Sequence, residues 1–146
     1  MYAKTKALAS YSRVANTEDD RLKQIVMLYD GAIKFLNLSA VDIEESDFAA
    51  KGEHSNRALD IIGYLQSILD FETGGQVAES LDNLYRSVSL LILRASAGPD
   101  ADLMRRAASI LAPVRDAWDT NAKNAAAPLS MEVAGGSNQS NLGVIG

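Results

Sequence analysis

The sequence predicts an all-α protein, an antiparallel four-helix bundle with an N-terminal arm and a disordered C-terminal tail. Apolar residues recur at three- and four-residue spacing in four separate stretches, which is typical of amphipathic helices. The connections between these stretches are short, and no segment shows a convincing strand pattern. Four amphipathic helices with short connections pack most simply as an antiparallel bundle. We therefore expect the arm at residues 1–16, the bundle at 17–124 and the tail at 125–146.

The clearest element is a helical hairpin within Ala58–Tyr85. Each half carries its own apolar stripe, and Gly74-Gly75 lies between them. Glycine adopts a positive φ at little cost, so this pair is a natural helix terminator. We expect the second helix to end near Phe71 and the third to begin at Gln76.

Capping residues predict the other helix boundaries. Thr17 precedes three carboxylates, which is typical of a helix start, and the first helix is expected to reach about Glu45. Ser46 or Asp47 can cap the second helix. Gly98-Pro99-Asp100 stops the third helix and starts the fourth.

Pro113 and the two termini depart from regular helix. Proline removes a backbone donor and clashes with the preceding turn, so we expect a bend near residues 109–113. The segment after Ala125 is rich in Ala, Ser, Asn and Gly, and it cannot bury enough apolar surface to offset its ordering entropy. The arm is too short to hold a structure by itself.

The amino-acid composition excludes most classes of catalytic and metal-binding site. The 146 residues include no cysteine and one histidine, and the formal net charge is -5. Thiol chemistry is excluded, and the residues of di-iron, zinc or serine-hydrolase sites are lacking, so we predict no catalytic residue, metal or cofactor. Scattered Lys and Arg argue against a nucleic-acid partner, and no apolar run is long enough for membrane insertion. We expect a cytoplasmic protein.

Two functional hypotheses start from the residues themselves. His54 on a four-helix bundle could serve histidine phosphotransfer, although it lies in the first turns of its helix. Apolar residues beyond the needs of a core instead favour docking of a partner helix. These residues are Leu28 and Phe35 on the first helix and Leu90 and Leu93 on the third. Whether the first pair packs internally or forms the floor of a groove stays open, as does an arm that covers the groove until a partner displaces it.

Several motifs, in order, resemble the FliS family of flagellin-specific export chaperones over about residues 1–120. They are Met27-Leu28-Tyr29-Asp30-Gly31-Ala32-Ile33, Leu69-Asp70 with Gly74-Gly75, Leu84-Tyr85, and Arg115-Asp116-Ala117-Trp118. The resemblance implies a bundle that binds the C-terminal helical region of flagellin, prevents premature polymerisation and delivers flagellin to the flagellar type III export apparatus. Flagellar regulatory proteins are further candidate partners.

The resemblance also implies where the client binds. Tyr11 would belong to an arm that can occupy part of the client surface. Leu28, Tyr29, Gly31 and Phe35 would belong to the surface of the first helix that the motif marks. The acidic helix start, Pro113 and the tail depart from the family pattern. A helical adaptor for another secreted or regulatory helix is a third hypothesis.

Overall fold

A computed structural model describes residues 18–125, and it confirms the predicted antiparallel four-helix bundle. The helices are α1 (Glu18–Glu44), α2 (Phe48–Ser67), α3 (Phe71–Ala97) and α4 (Ala101–Ala125). The predicted arm, including Tyr11, lies outside the described residues, as do Thr17 and the tail after Ala125.

The helices form a square in which α1 is the best-packed member. It lies between α2 and α4 and packs extensively against both, whereas α3 closes the square with sparser contacts to α2 and α4. Two exposed ion pairs join α1 and α4 in antiparallel register. Arg105 pairs with Glu44, and Arg115 pairs with Asp30.

The turn between α2 and α3 lies earlier than the sequence predicts. Helix α2 ends at Ser67 and α3 begins at Phe71, so the predicted boundaries at Phe71 and Gln76 are wrong. The reason is Asp70, whose carboxylate accepts hydrogen bonds from the backbone N–H groups of Glu72 and Thr73. This N-cap starts the helix before the glycines are reached.

Gly75 has a positive φ, but it does not end a helix. Its φ of 50° is positive, but its ψ of -123° lies outside the left-handed helical region, and the residue lies inside α3, where it interrupts the helical geometry. The chain therefore makes a capped first turn, a kink at Gly75 and then a regular helix to Ala97.

The starts of α2 and α4 agree with their predicted caps. Asp47 accepts a hydrogen bond from the N–H of Ala50 and so is the N-cap of α2. Asp100 accepts one from the N–H of Leu103 at the start of α4. Helix α4 runs through Pro113 as one element, and the bend expected there stays a prediction.

Candidate protein-docking surface

Three aromatic residues of the family-like motifs lie in the core. Tyr29 and Tyr85 are fully or almost fully buried, and their hydroxyls lie 2.7 Å apart. Trp118 of α4 is also buried in the core. Burial raises the pKa of both phenols, so each stays neutral at physiological pH. The three aromatics therefore join α1, α3 and α4, and Tyr29 has no exposed surface to offer a client in this conformation.

Gly31 is a packing residue as well. A Cβ atom placed there would lie 3.3 Å from Cδ1 of Ile61, which is tighter than ordinary van der Waals contact. The glycine allows α1 and α2 to approach each other closely. Its place in the motif is thus explained without a partner.

Leu28 and Phe35 are half-buried where α1 meets α2, and both pack against the core. The Phe35 ring stacks on His54 with 6.0 Å between ring centroids and an interplanar angle of 19°. The guanidinium of Arg57 lies 5.5 Å from the centroid of the same ring. Phe35 therefore has neighbours within the molecule, and only the outer edges of these two side chains remain exposed.

His54 is held by its surroundings. Nδ1 lies 2.6 Å from Oδ2 of Asp42, and Phe35 covers one ring face. Phosphotransfer would need a histidine presented to solvent, whereas this ring is 26% exposed and already has two partners. The arrangement is that of a residue that links α1 to α2. Within residues 18–125, no three His, Asp or Glu side chains converge as metal ligands.

Leu90 and Leu93 project from α3 and are the most exposed large hydrophobic residues among those described, at 55% and 53%. The inner face of α3 is packed by other residues, which include Tyr85, Val88 and Ile92. At 100° per residue, Leu90 lies almost opposite this buried stripe. Because α1 and α3 occupy diagonal corners of the square, Leu90 and Leu93 do not join Leu28 and Phe35 in one surface.

The sequence analysis did not predict a second apolar region, which lies between α3 and α4, where the two helices pack sparsely. On α3, Asp82 and Ser96 face α2, since they contact Gln66 and Lys51. The opposite edge of α3 therefore faces α4. We call the aliphatic residues on these two facing edges the α3–α4 seam: Val77, Leu84, Leu91, Leu103, Ile110 and Val114. All are half-buried or exposed.

The seam has a signal in the sequence. Val77, Leu84 and Leu91 repeat every seven residues, and Leu103 and Ile110 do the same on α4. A heptad stripe beside a fully buried stripe indicates a second contact surface on one helix. The spacing alone does not say whether that contact is with a neighbouring helix or with another chain.

No helix among the described residues combines the length and the apolar character that crossing a bilayer requires.

Comparison with known proteins adds the family context. The family model described as "Flagellar protein FliS" matches residues 4–125. The flagellar secretion chaperone FliSB of Pseudomonas aeruginosa is 30% identical over 125 residues, which cover 82% of this chain and 97% of the relative. The flagellar secretion chaperone FliS of Vibrio cholerae is 34% identical over 97 residues, covering 66% of this chain and 71% of the relative. The flagellar secretion chaperone FliS of Salmonella typhimurium is 35% identical over 95 residues, which cover 64% of this chain and 70% of the relative.

Proposed function

Because this chain belongs to the FliS family of flagellar proteins, we propose that it is a cytoplasmic export chaperone for flagellin. It binds the C-terminal helical region of flagellin, prevents premature polymerisation and delivers the client to the flagellar type III export apparatus. The observation that carries this function is the exposed pair Leu90 and Leu93 in a chain whose relatives are flagellar secretion chaperones.

Helix α3 supplies the centre of the client site. Its inner face already fills the core, so Leu90 and Leu93 are available to another polypeptide. The α3–α4 seam lies on a different edge of α3, about 100° or more around the helix from Leu90, and is a separate apolar strip. An amphipathic client helix that lies along α3 would bury Leu90 and Leu93, which is the usual way in which a helix docks on an apolar face.

The residues of α1 have a smaller part. Leu28 and Phe35 contribute by the edges that packing against α2 leaves exposed. Tyr29 and Gly31 act indirectly, because they hold the helices to which the site is attached. Tyr11 contributes through the arm, where it competes with the client or contacts it.

Binding requires no covalent step. A client segment that is disordered before assembly folds as it buries its apolar face, and the cost of ordering lowers its affinity per unit of buried area. Moderate affinity suits a chaperone, because a competing surface at the export apparatus can then take the client. The alternative, phosphotransfer through His54, has no comparable support, since Asp42 and Phe35 hold that ring.

The test is a pull-down with the full chain as bait. Flagellin and a flagellin lacking its last helical segment are offered separately at equal concentration. We expect capture of the complete client only. Equal capture of both, or of neither, would contradict the proposed function. Loss of phosphoryl labelling in His54→Ala, alongside absent flagellin binding, would favour the phosphotransfer alternative.

A further inference from the structure

The outer face of the C-terminal half of α3 combines apolar and basic residues. We define this α3 outer face as Arg86, Leu90, Leu93 and Arg94. Three of them, Arg86, Leu90 and Arg94, follow one another at four-residue intervals, so they line one row of the helix, and Leu93 lies beside it. All four side chains are exposed. The face therefore offers two leucines flanked by two guanidinium groups.

The local charge is opposite to that of the whole chain. Residues 83–99 contain no Asp or Glu, although the chain has 19 acidic residues and a net charge of -5. Nη2 of Arg86 lies 3.1 Å from Oδ2 of Asp82, but the other oxygen of that carboxylate also accepts a hydrogen bond from Nε2 of Gln66. Arg94 makes no ion pair within the described part of the chain. Nearby, the Nζ of Lys51 donates to the carbonyl of Ser96 and adds a further positive charge.

The chain's own outlying segments do not match this face. Residues 1–17 carry Lys4, Lys6 and Arg13 and no carboxylate, so the face would repel them. Residues 126–146 carry a single charged side chain, Glu132. A second copy of the chain would bring the same two arginines to a self-complementary contact, where like charges oppose pairing. The matching occupant is a helix of another chain, with carboxylates beside its apolar stripe.

We propose that the α3 outer face binds an acidic amphipathic helix within the C-terminal region of the client, with the helix's apolar stripe on Leu90 and Leu93 and its flanking carboxylates on Arg86 and Arg94. This inference rests on the proposed function, because it specifies the chemistry of the client segment. Exposed rim charges contribute chiefly to the rate and orientation of association. Burial of the leucines supplies most of the affinity.

The experiment measures association rates of the flagellin C-terminal region with two charge-reversed variants of the full chain. Arg86→Glu/Arg94→Glu alters the α3 outer face. Lys34→Glu/Arg106→Glu is the control, because it changes the net charge equally at exposed positions on α1 and α4. At low ionic strength we expect the first variant to associate roughly tenfold more slowly than the control. The difference should shrink at about 1 M salt, where the Debye length is about 3 Å.

A reciprocal substitution makes the result specific. Replacement of the carboxylates in the client helix by Lys should restore fast association with Arg86→Glu/Arg94→Glu and slow it with the unsubstituted chain. Circular dichroism checks that all variants keep their helix content. Equal rates for the two charge-reversed variants, with flagellin still bound, would overturn this inference and leave the proposed function standing. If the unsubstituted chain fails to bind flagellin at any ionic strength, the proposed function fails and this inference with it.

Discussion

The hydroxyl of Tyr29 on α1 lies 2.7 Å from the hydroxyl of Tyr85 on α3, and both rings are enclosed in the core. The ring centroids are 6.3 Å apart. These residues occupy diagonal helices, so their bond crosses the centre of the bundle. It is a polar contact in an apolar interior, where an unpaired hydroxyl would be costly.

Removal of one hydroxyl leaves the other buried and unpaired. The two single substitutions together should therefore lower the free energy of unfolding by more than the double substitution does. Tyr85→Phe leaves the buried Tyr29 hydroxyl without its tyrosine partner, and we expect a loss of about 1–3 kcal/mol in unfolding free energy. Tyr29→Phe should cost a similar amount, because it leaves the buried Tyr85 hydroxyl unpaired. The double variant should be less destabilised than the sum of the single variants. Urea unfolding followed by circular dichroism measures all three, and strict additivity would contradict a direct bond.

The same pair predicts the stability of the protein at alkaline pH. Burial raises the pKa of Tyr29 and Tyr85 above the ordinary value of 10.0. The unfolded chain therefore releases phenolic protons near pH 10 while the folded chain keeps them, and stability falls as the pH rises further. Each tyrosine contributes a slope of roughly 1.4 kcal/mol per pH unit. Urea unfolding between about pH 8 and 11 should show this loss, and Tyr29→Phe/Tyr85→Phe should reduce it. An unchanged slope would argue against burial of the phenols.

Two glycines should respond in opposite directions to replacement by alanine. Gly75 has a φ of 50°, which disfavours any Cβ, so Gly75→Ala should destabilise the protein by about 1–2 kcal/mol. Gly63 lies inside α2 with open space around the position of a Cβ, so Gly63→Ala should stabilise it by roughly 0.5–1 kcal/mol. Thermal unfolding of both variants makes the comparison. Similar shifts of the two midpoints would show that the kink at Gly75 is not required.

Acidic substitution on α3 should weaken client binding without unfolding the bundle. Leu90→Asp/Leu93→Asp places two charges where the client helix would be apolar, and we expect at least a tenfold loss of flagellin affinity, equivalent to about 1.4 kcal/mol. Leu38→Asp/Val41→Asp is the control, since these exposed residues of α1 have the same three-residue spacing. Calorimetric titration measures the affinities. Greater loss in the control would move the site to α1.

Deletion of residues 1–14 tests the arm. Those residues include Tyr11 and a net positive charge. If the arm competes for the client surface away from the basic α3 outer face, the shortened chain should bind flagellin more tightly and keep its helix content. Weaker binding would make the arm part of the site instead. Calorimetric titration beside circular dichroism separates these outcomes from a loss of folding.

The sequence by itself determined the number of helices and their antiparallel packing, although it misplaced the turn between α2 and α3. Periodic apolar residues, short connections and the caps at Asp47 and Asp100 sufficed for the four-helix bundle. The same periodicity indicated that Leu90 and Leu93 lie outside the core stripe of their helix. These features depend on neighbours in sequence, and the 3.6-residue turn converts such neighbours directly into faces.

Only the tertiary structure decided which chain segment covers each face. Periodicity placed Leu28 and Phe35 beside the core stripe, but it could not reveal that His54 and Arg57 from α2 cover Phe35. Periodicity placed Tyr29 on the stripe that faces the bundle, although the resemblance assigned it to the client surface, but it could not show that its hydroxyl bonds to Tyr85 across the core. Such contacts join residues far apart in sequence, and they depend on how the helices are rotated against each other. Local spacing carries no information about that rotation.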